Sequence, residues 1–154
     1  MKKRLIILLI PIILLCGCKD EKITKEKELY DNYIKELKEV NDSSTDYPFK
    51  IEIKYDKLVD DIYRYQVIID ETEEDIYDIE AIAIHNKKTK DIYPSIGIFD
   101  KKEKLEVGKK PAGIILVGYI DYDKKIEDFN CKIKVLIKYK NKNNNKKSVY
   151  YVTK

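Results

Sequence analysis

From Phe49 onward, apolar and polar residues alternate with a period of two. Phe49, Ile51, Ile53 and Tyr55 alternate with Lys50, Glu52, Lys54 and Asp56, the pattern of a half-buried strand. Tyr63, Tyr65, Val67 and Ile69 repeat it against Arg64, Gln66 and Asp70. Tyr77, Ile79, Ala81 and Ala83 then share one face, while Ile82 and Ile84 occupy the other. Residues 96–99 predict a short strand with Pro94 at its edge. Residues 114–120 are almost wholly apolar and predict a central strand. Cys131, Ile133, Val135, Ile137 and Tyr139 alternate with lysines, and residues 149–152 close the series. The polar stretch 141–147 predicts a hairpin between the last two strands. Seven short strands with turn signals between them, and no helical pattern, predict an all-β domain, an antiparallel β-sandwich of immunoglobulin size.

Upstream the period changes. Ile23, Tyr30, Tyr33, Ile34, Leu37 and Val40 fall at helical spacing over the second half of residues 19–40. Glu21 with Lys25 and Asp31 with Lys35 are favourable i,i+4 pairs. The apolar stripe is narrow and the remainder strongly charged, which predicts a solvated helical spacer. A seam for a partner helix is the other reading, and fewer than three heptads is short for a coiled coil. Residues 41–46 all favour caps and turns. Pro48 pushes Tyr47 toward extended backbone, so a domain boundary is expected here.

The first 18 residues follow neither pattern. Lys2, Lys3 and Arg4 precede an apolar run from Leu5 to Leu15, interrupted only by Pro11. That run is about half the roughly 20 residues a membrane-crossing helix needs, and it fits a secretory signal. It ends in Leu15-Cys16-Gly17-Cys18, which resembles the lipobox of bacterial lipoproteins. In that pattern an aliphatic residue stands three before the modified cysteine and a small residue just before it. Cys18 has Leu15 and Gly17 in those places, whereas Cys16 is preceded by the bulky Leu15. The resemblance therefore implies cleavage before Cys18, lipid attachment at Cys18 and retention at the extracytoplasmic face of the cell membrane. Two acyl chains would act together there, at about 0.8 kcal/mol per buried CH₂. The stretch from Leu105 to Ile120, with Gly108, Pro111 and Gly113 in a turn before an apolar strand, resembles the Ig-like domains of many Gram-positive lipoproteins. The expected organisation is a signal peptide over residues 1–17, a lipidated N-terminus, helical spacer and linker over 18–46, and a seven-stranded Ig-like β-sandwich over 47–154.

Charge changes the picture once the signal is removed. The net charge of +3 comes from 31 Lys+Arg and 28 Asp+Glu, and the signal holds three of the basic residues and no acidic one. The mature chain is neutral and its charges alternate finely, so no basic stripe for nucleic acid is visible. Of the three cysteines, only Cys18 and Cys131 would remain, and a lipidated Cys18 leaves Cys131 unpaired. The abundance of Ile, Lys, Asn and Tyr, with no Trp, suits an AT-rich, low-GC Gram-positive source.

Candidate chemistry is sparse. His85 is the sole histidine and is expected at a solvated strand end, with no nucleophile turn or metal spacing beside it. Cys131 shares the inward face with Ile133 and Val135 and is expected in the core. The acidic run 70–75 would suit calcium, with Asp121 and Asp123 as further ligands, although the EF-hand spacing and glycine are missing. A charged, solvated loop is the simpler reading. The 13 tyrosines fall mostly in the strand pattern. No catalytic residue, cofactor site or metal site is assigned. The expected activity is binding of a protein, peptide or envelope component. A calcium-dependent adhesion module and an envelope enzyme with a concealed carboxylate pair are the alternatives.

Overall fold

The computed structural model describes residues 17–58, 61–88, 92–109, 113–121 and 131–154. A helix, α1 (Gly17–Glu39), precedes eight strands: β1 (Lys50–Lys57), β2 (Ile62–Asp70), β3 (Ile76–His85), β4 (Ser95–Ile96), β5 (Glu103–Leu105), β6 (Ile114–Asp121), β7 (Ile133–Asn141) and β8 (Lys146–Val152). They form two antiparallel sheets. One runs β1-β2-β6 and the other β4-β3-β7-β8, with β5 also on β3. β7 pairs along the length of β3. β4 at Ala81 and Ile82, and β5 at Ile76 and Ile79, therefore share its opposite edge. The short β5 is the strand that the periodicity did not count.

The sheets face each other across one core, giving a β-sandwich-like body. Tyr65, Val67 and Ile69 of β2 and Leu116 and Ile120 of β6 pack against Ala81 and Ala83 of β3 and Val135 and Ile137 of β7. Alternation made this core legible, because every second strand residue points inward. β6 departs from expectation. It is an edge strand in its sheet, and its outward residues Ile115, Val117 and Tyr119 are exposed. A run apolar on both faces says what a strand tolerates, not what covers it. Within the core, Gly118 of β6 lies directly across from Tyr65, whose ring occupies the space a side chain would need. The Tyr65 hydroxyl is buried there without a hydrogen-bond partner among the described residues.

The helix is not a solvated spacer. A second apolar cluster joins Tyr30, Tyr33 and Leu37 of α1 to Ile82 and Ile84 of β3, Leu136 of β7 and Ile98. This packing is on the outer face of the second sheet, and it explains why β3 is apolar on both faces. The spacing i, i+3, i+7 puts these three helical side chains on one stripe. Ile23, earlier in the helix, is exposed. The expected linker is also structural. The Ser44 N–H donates to the Tyr150 carbonyl at 2.8 Å, and the Tyr150 N–H donates to Ser44 Oγ at 3.0 Å. Ser43 Oγ accepts from the Val152 N–H at 2.9 Å. These bonds satisfy the C-terminal part of the free edge of β8, which would otherwise offer a template for pairing.

Candidate functional site

The helix covers only the apolar half of the outer face. Lys134 Nζ donates to the Lys38 carbonyl at 2.8 Å, and Lys138 Nζ donates to Glu36 Oε2 at 2.9 Å. Moving toward the start of α1 therefore means moving up β7, and α1 runs antiparallel to it. Beyond Lys138 the sheet becomes polar. Here a groove of about 480 Å³ opens between Leu29 and Tyr33 of α1 and the ends of β3, β7 and β8. That volume lies within the range of small-ligand sites.

Sheet register builds the groove wall. Lys140 stands across from Lys146, and Lys138 across from Glu80. Lys102 and Lys147 complete a set of five lysines, against the carboxylates of Asp78 and Glu80. The register of β3 shifts between Tyr77 and Glu80, and Asp78 there takes a positive φ of 51°. Bulges of this kind re-aim side chains, and Asp78 Oδ2 meets Lys140 Nζ at 2.7 Å. That hydrogen bond holds the Asp78 carboxyl below its ordinary range.

Glu80 is buried, 8 % exposed. It accepts from the Tyr33 hydroxyl at 2.5 Å and pairs with Lys102 at 2.6 Å. A buried carboxylate needs such partners, because an unpaired one costs several kcal/mol, on the order of 3–5. Burial, followed by the bond to Glu80, pushes the Tyr33 phenol well above its ordinary pKa. Lys138 Nζ also lies 4.0 Å from the centre of the Tyr33 ring, a cation–π contact. The floor of the groove is thus fixed by charge-assisted bonds. Lys146 and Lys147, at its mouth, are exposed and have no ion pair among the described residues.

Glu36 ties the helix to the sheet beside this groove. Burial raises its pKa, but hydrogen bonds from Tyr150 at 2.5 Å and from Lys138 outweigh that, leaving it below the ordinary carboxylate value. The Tyr150 phenol is pushed up to about 12 by the same bond. A depressed carboxyl contributes stability above its unfolded pKa, about 4.3, and loses it as pH falls through the folded value. Stability is therefore expected to decline on acidification below about pH 4, with a slope that Glu36→Gln flattens. Urea midpoints measured from pH 3 to 7 on both proteins check this, and identical slopes would contradict it.

The residues singled out by sequence are distributed as follows. Cys18 stands in the first turn of α1, while Leu15, Cys16 and Asp123 lie outside the described residues. His85 is not solvated. It is buried at the end of β3, edge-on to the rings of Tyr65 and Tyr93 at 5.7 and 5.4 Å, and its Nδ1 accepts from the Lys87 N–H. The strand continues through His85, and Tyr93 returns over it, which local pattern does not disclose. Cys131 is in the core as expected, and burial pushes its thiol up to about 11, a setting that suppresses thiolate chemistry. In the acidic run, Asp70 Oδ1 accepts from the Glu71 N–H and Asp75 Oδ1 from the Val107 N–H. These carboxylates shape the loop. Among the described residues, no three His, Cys, Asp or Glu side chains form a metal-holding group, and no described helix is long and apolar enough to cross a membrane.

Sequence reasoning missed the lysine groove because its members are spread from Lys102 to Lys147 and no local run sets them apart. The available signal was the outward pair of β7, Lys138 and Lys140, with Lys140 facing Lys146 across the predicted hairpin. Chemically, the arrangement offers fixed and free ammonium groups over a rigid floor, which suits an anion. No protein-family model, curated protein or solved structure matches this chain.

Proposed function

We propose that the chain is a lipid-anchored envelope protein, modified at Cys18, that holds a non-catalytic binding module at the extracytoplasmic face of the membrane. The observation that carries this is the order of basic start, apolar run and Leu15-Cys16-Gly17-Cys18. The geometry is compatible with it. Described residues of α1 ahead of Leu29 are mostly exposed, so an anchor at Cys18 would clear the body by about 16 Å at 1.5 Å per residue. We further propose that the sandwich is Ig-like. Its support is that the connections β2–β3, β5–β6 and β6–β7 cross between the two antiparallel sheets, as connections in Greek-key sandwiches do.

The test is the intact mass of the chain extracted from membranes. A mature form beginning at Cys18 and carrying a diacylglyceryl group is expected, with Cys18→Ala accumulating uncleaved. A mature N-terminus elsewhere, or normal cleavage of Cys18→Ala, would refute the anchoring.

A further inference from the structure

We infer that the free edge of β6 is an interface at which two copies of this chain pair antiparallel, strand to strand, about a two-fold axis at Val117. β6 is the end strand of the β1-β2-β6 sheet, and among the described residues nothing pairs with its outer edge. Alternate backbone N–H and C=O groups of the strand point away from β2. Such an edge is a template for another chain, and proteins ordinarily blunt it with charge, proline, bulges or cover.

The other edges carry that protection. β1 sets Lys50, Glu52, Lys54 and Asp56 on its outward face. β8 begins with two lysines and is bonded at its far end by Ser43 and Ser44. β4 and β5 are only two and three residues long. β6 has none of these devices. From Ile114 to Ile120 it holds no charge and no proline, and its register with β2 is unbroken. Ile115, Val117 and Tyr119 are 52, 39 and 44 % exposed along it.

A second copy is the occupant this pattern fits. A two-fold interface is self-complementary, so that if residue i meets j, then j meets i. Antiparallel pairing centred on Val117 sets that residue against its own counterpart and Ile115 against Tyr119, a favourable pairing of a β-branched with an aromatic side chain. On the inward face Leu116 meets Gly118. Asp121 falls opposite Gly113, so no charge faces another charge or an apolar side chain. Moving the axis to Gly118 would set Ile115 against Asp121, and moving it to Leu116 would leave Tyr119 beyond the facing strand. Charge agrees at longer range, because the chain carries +3 in full and zero without the signal, which opposes association little. The joined sheet has six strands, an ordinary size. One strand pair is small beside the roughly 1,200–2,000 Å² of stable interfaces, so a reversible dimer is expected, with Kd on the order of 10 µM. The pairing does not depend on anchoring at Cys18.

The test is sedimentation velocity of the full chain in density-matched detergent, over a concentration series spanning the micromolar range. A dimer that grows with concentration is expected. Val117→Lys sets two ammonium groups face to face at the axis and should weaken the dimer on the order of tenfold or more, as should Val117→Glu. An equimolar mixture of the two should restore it, because opposite charges then meet. Lys54→Glu, on the β1 edge, should leave it unchanged. If either charged variant alters the far-UV circular dichroism, Val117→Cys decides. Mild oxidation should then give a disulfide between two copies, mapped by mass spectrometry to position 117, and Glu52→Cys should give none at position 52. A dimer indifferent to charge at Val117, or a mixture without rescue, overturns the interface. Monomer at every concentration also overturns it and leaves the edge to a strand of another protein.

Discussion

Replacing Leu37 with alanine is expected to destabilise the protein by about 2–5 kcal/mol, the range for removing a fully buried leucine. Leu37 has no solvent exposure, and it lies in the cluster formed with Ile82, Ile84 and Leu136. Truncation removes favourable burial and leaves a cavity that the sheet cannot close, since its strands are held by β3–β7 pairing on the same residues. Ile23→Ala is the contrast. Ile23 is 59 % exposed, and its loss should fall within about 0.5 kcal/mol. Urea denaturation separates the two. If α1 is a layer of the fold, Leu37→Ala lowers the midpoint with an unchanged slope, because one cooperative unit has been weakened. Equal, small effects of both changes would return the helix to the role of a solvated spacer.

A second large loss, about 3 kcal/mol or more, is expected for Gly97→Ala. Two penalties combine there. Gly97 has φ of 74°, a conformation costing an L residue roughly 1–2 kcal/mol. A methyl group would also overlap the Ile79 carbonyl oxygen and crowd Glu80 Cα at 3.2 Å. Backbone cannot move aside as a flexible side chain can, so overpacking adds roughly 1–3 kcal/mol. Gly108→Ala isolates the first penalty. Its φ is 70°, and nothing lies within 4 Å of the position. Thermal unfolding of the two variants should therefore differ clearly, with Gly97→Ala the worse, and equal shifts would contradict the close approach. Because Gly97 presses on the backbone that carries Glu80, its variant should also loosen the Lys102–Glu80 pair and weaken the groove.

Much of the sandwich was legible before the structure. The strands β1, β2, β3, β6, β7 and β8 declare themselves through alternation, and Asn141 closes the β7–β8 turn by accepting from the Asn143 and Asn145 N–H groups. β5 was not legible, because three residues give no period. α1 was found as a helix, yet its role was misjudged from its charge. The missing step was to join two observations already present. Ile82 and Ile84 needed cover on a face the β1-β2-β6 sheet could not reach, and Tyr30, Tyr33 and Leu37 formed a stripe without a partner. His85 failed for a related reason, since burial at a strand end depends on which loop folds over it.

Sequence by itself determined the local geometry. It specified the period of each element, the inward face of the strands, the turn chemistry and the expectation of Cys131 in the core. These depend on neighbours within a few residues, where backbone geometry dictates which side chains share a face. Only the tertiary structure decided what covers each face. It placed α1 over the outer sheet, left β6 at an edge, used Ser43 and Ser44 to close β8, and gathered five lysines from distant positions into one groove. Those outcomes depend on sheet order and register, which join residues far apart in the chain.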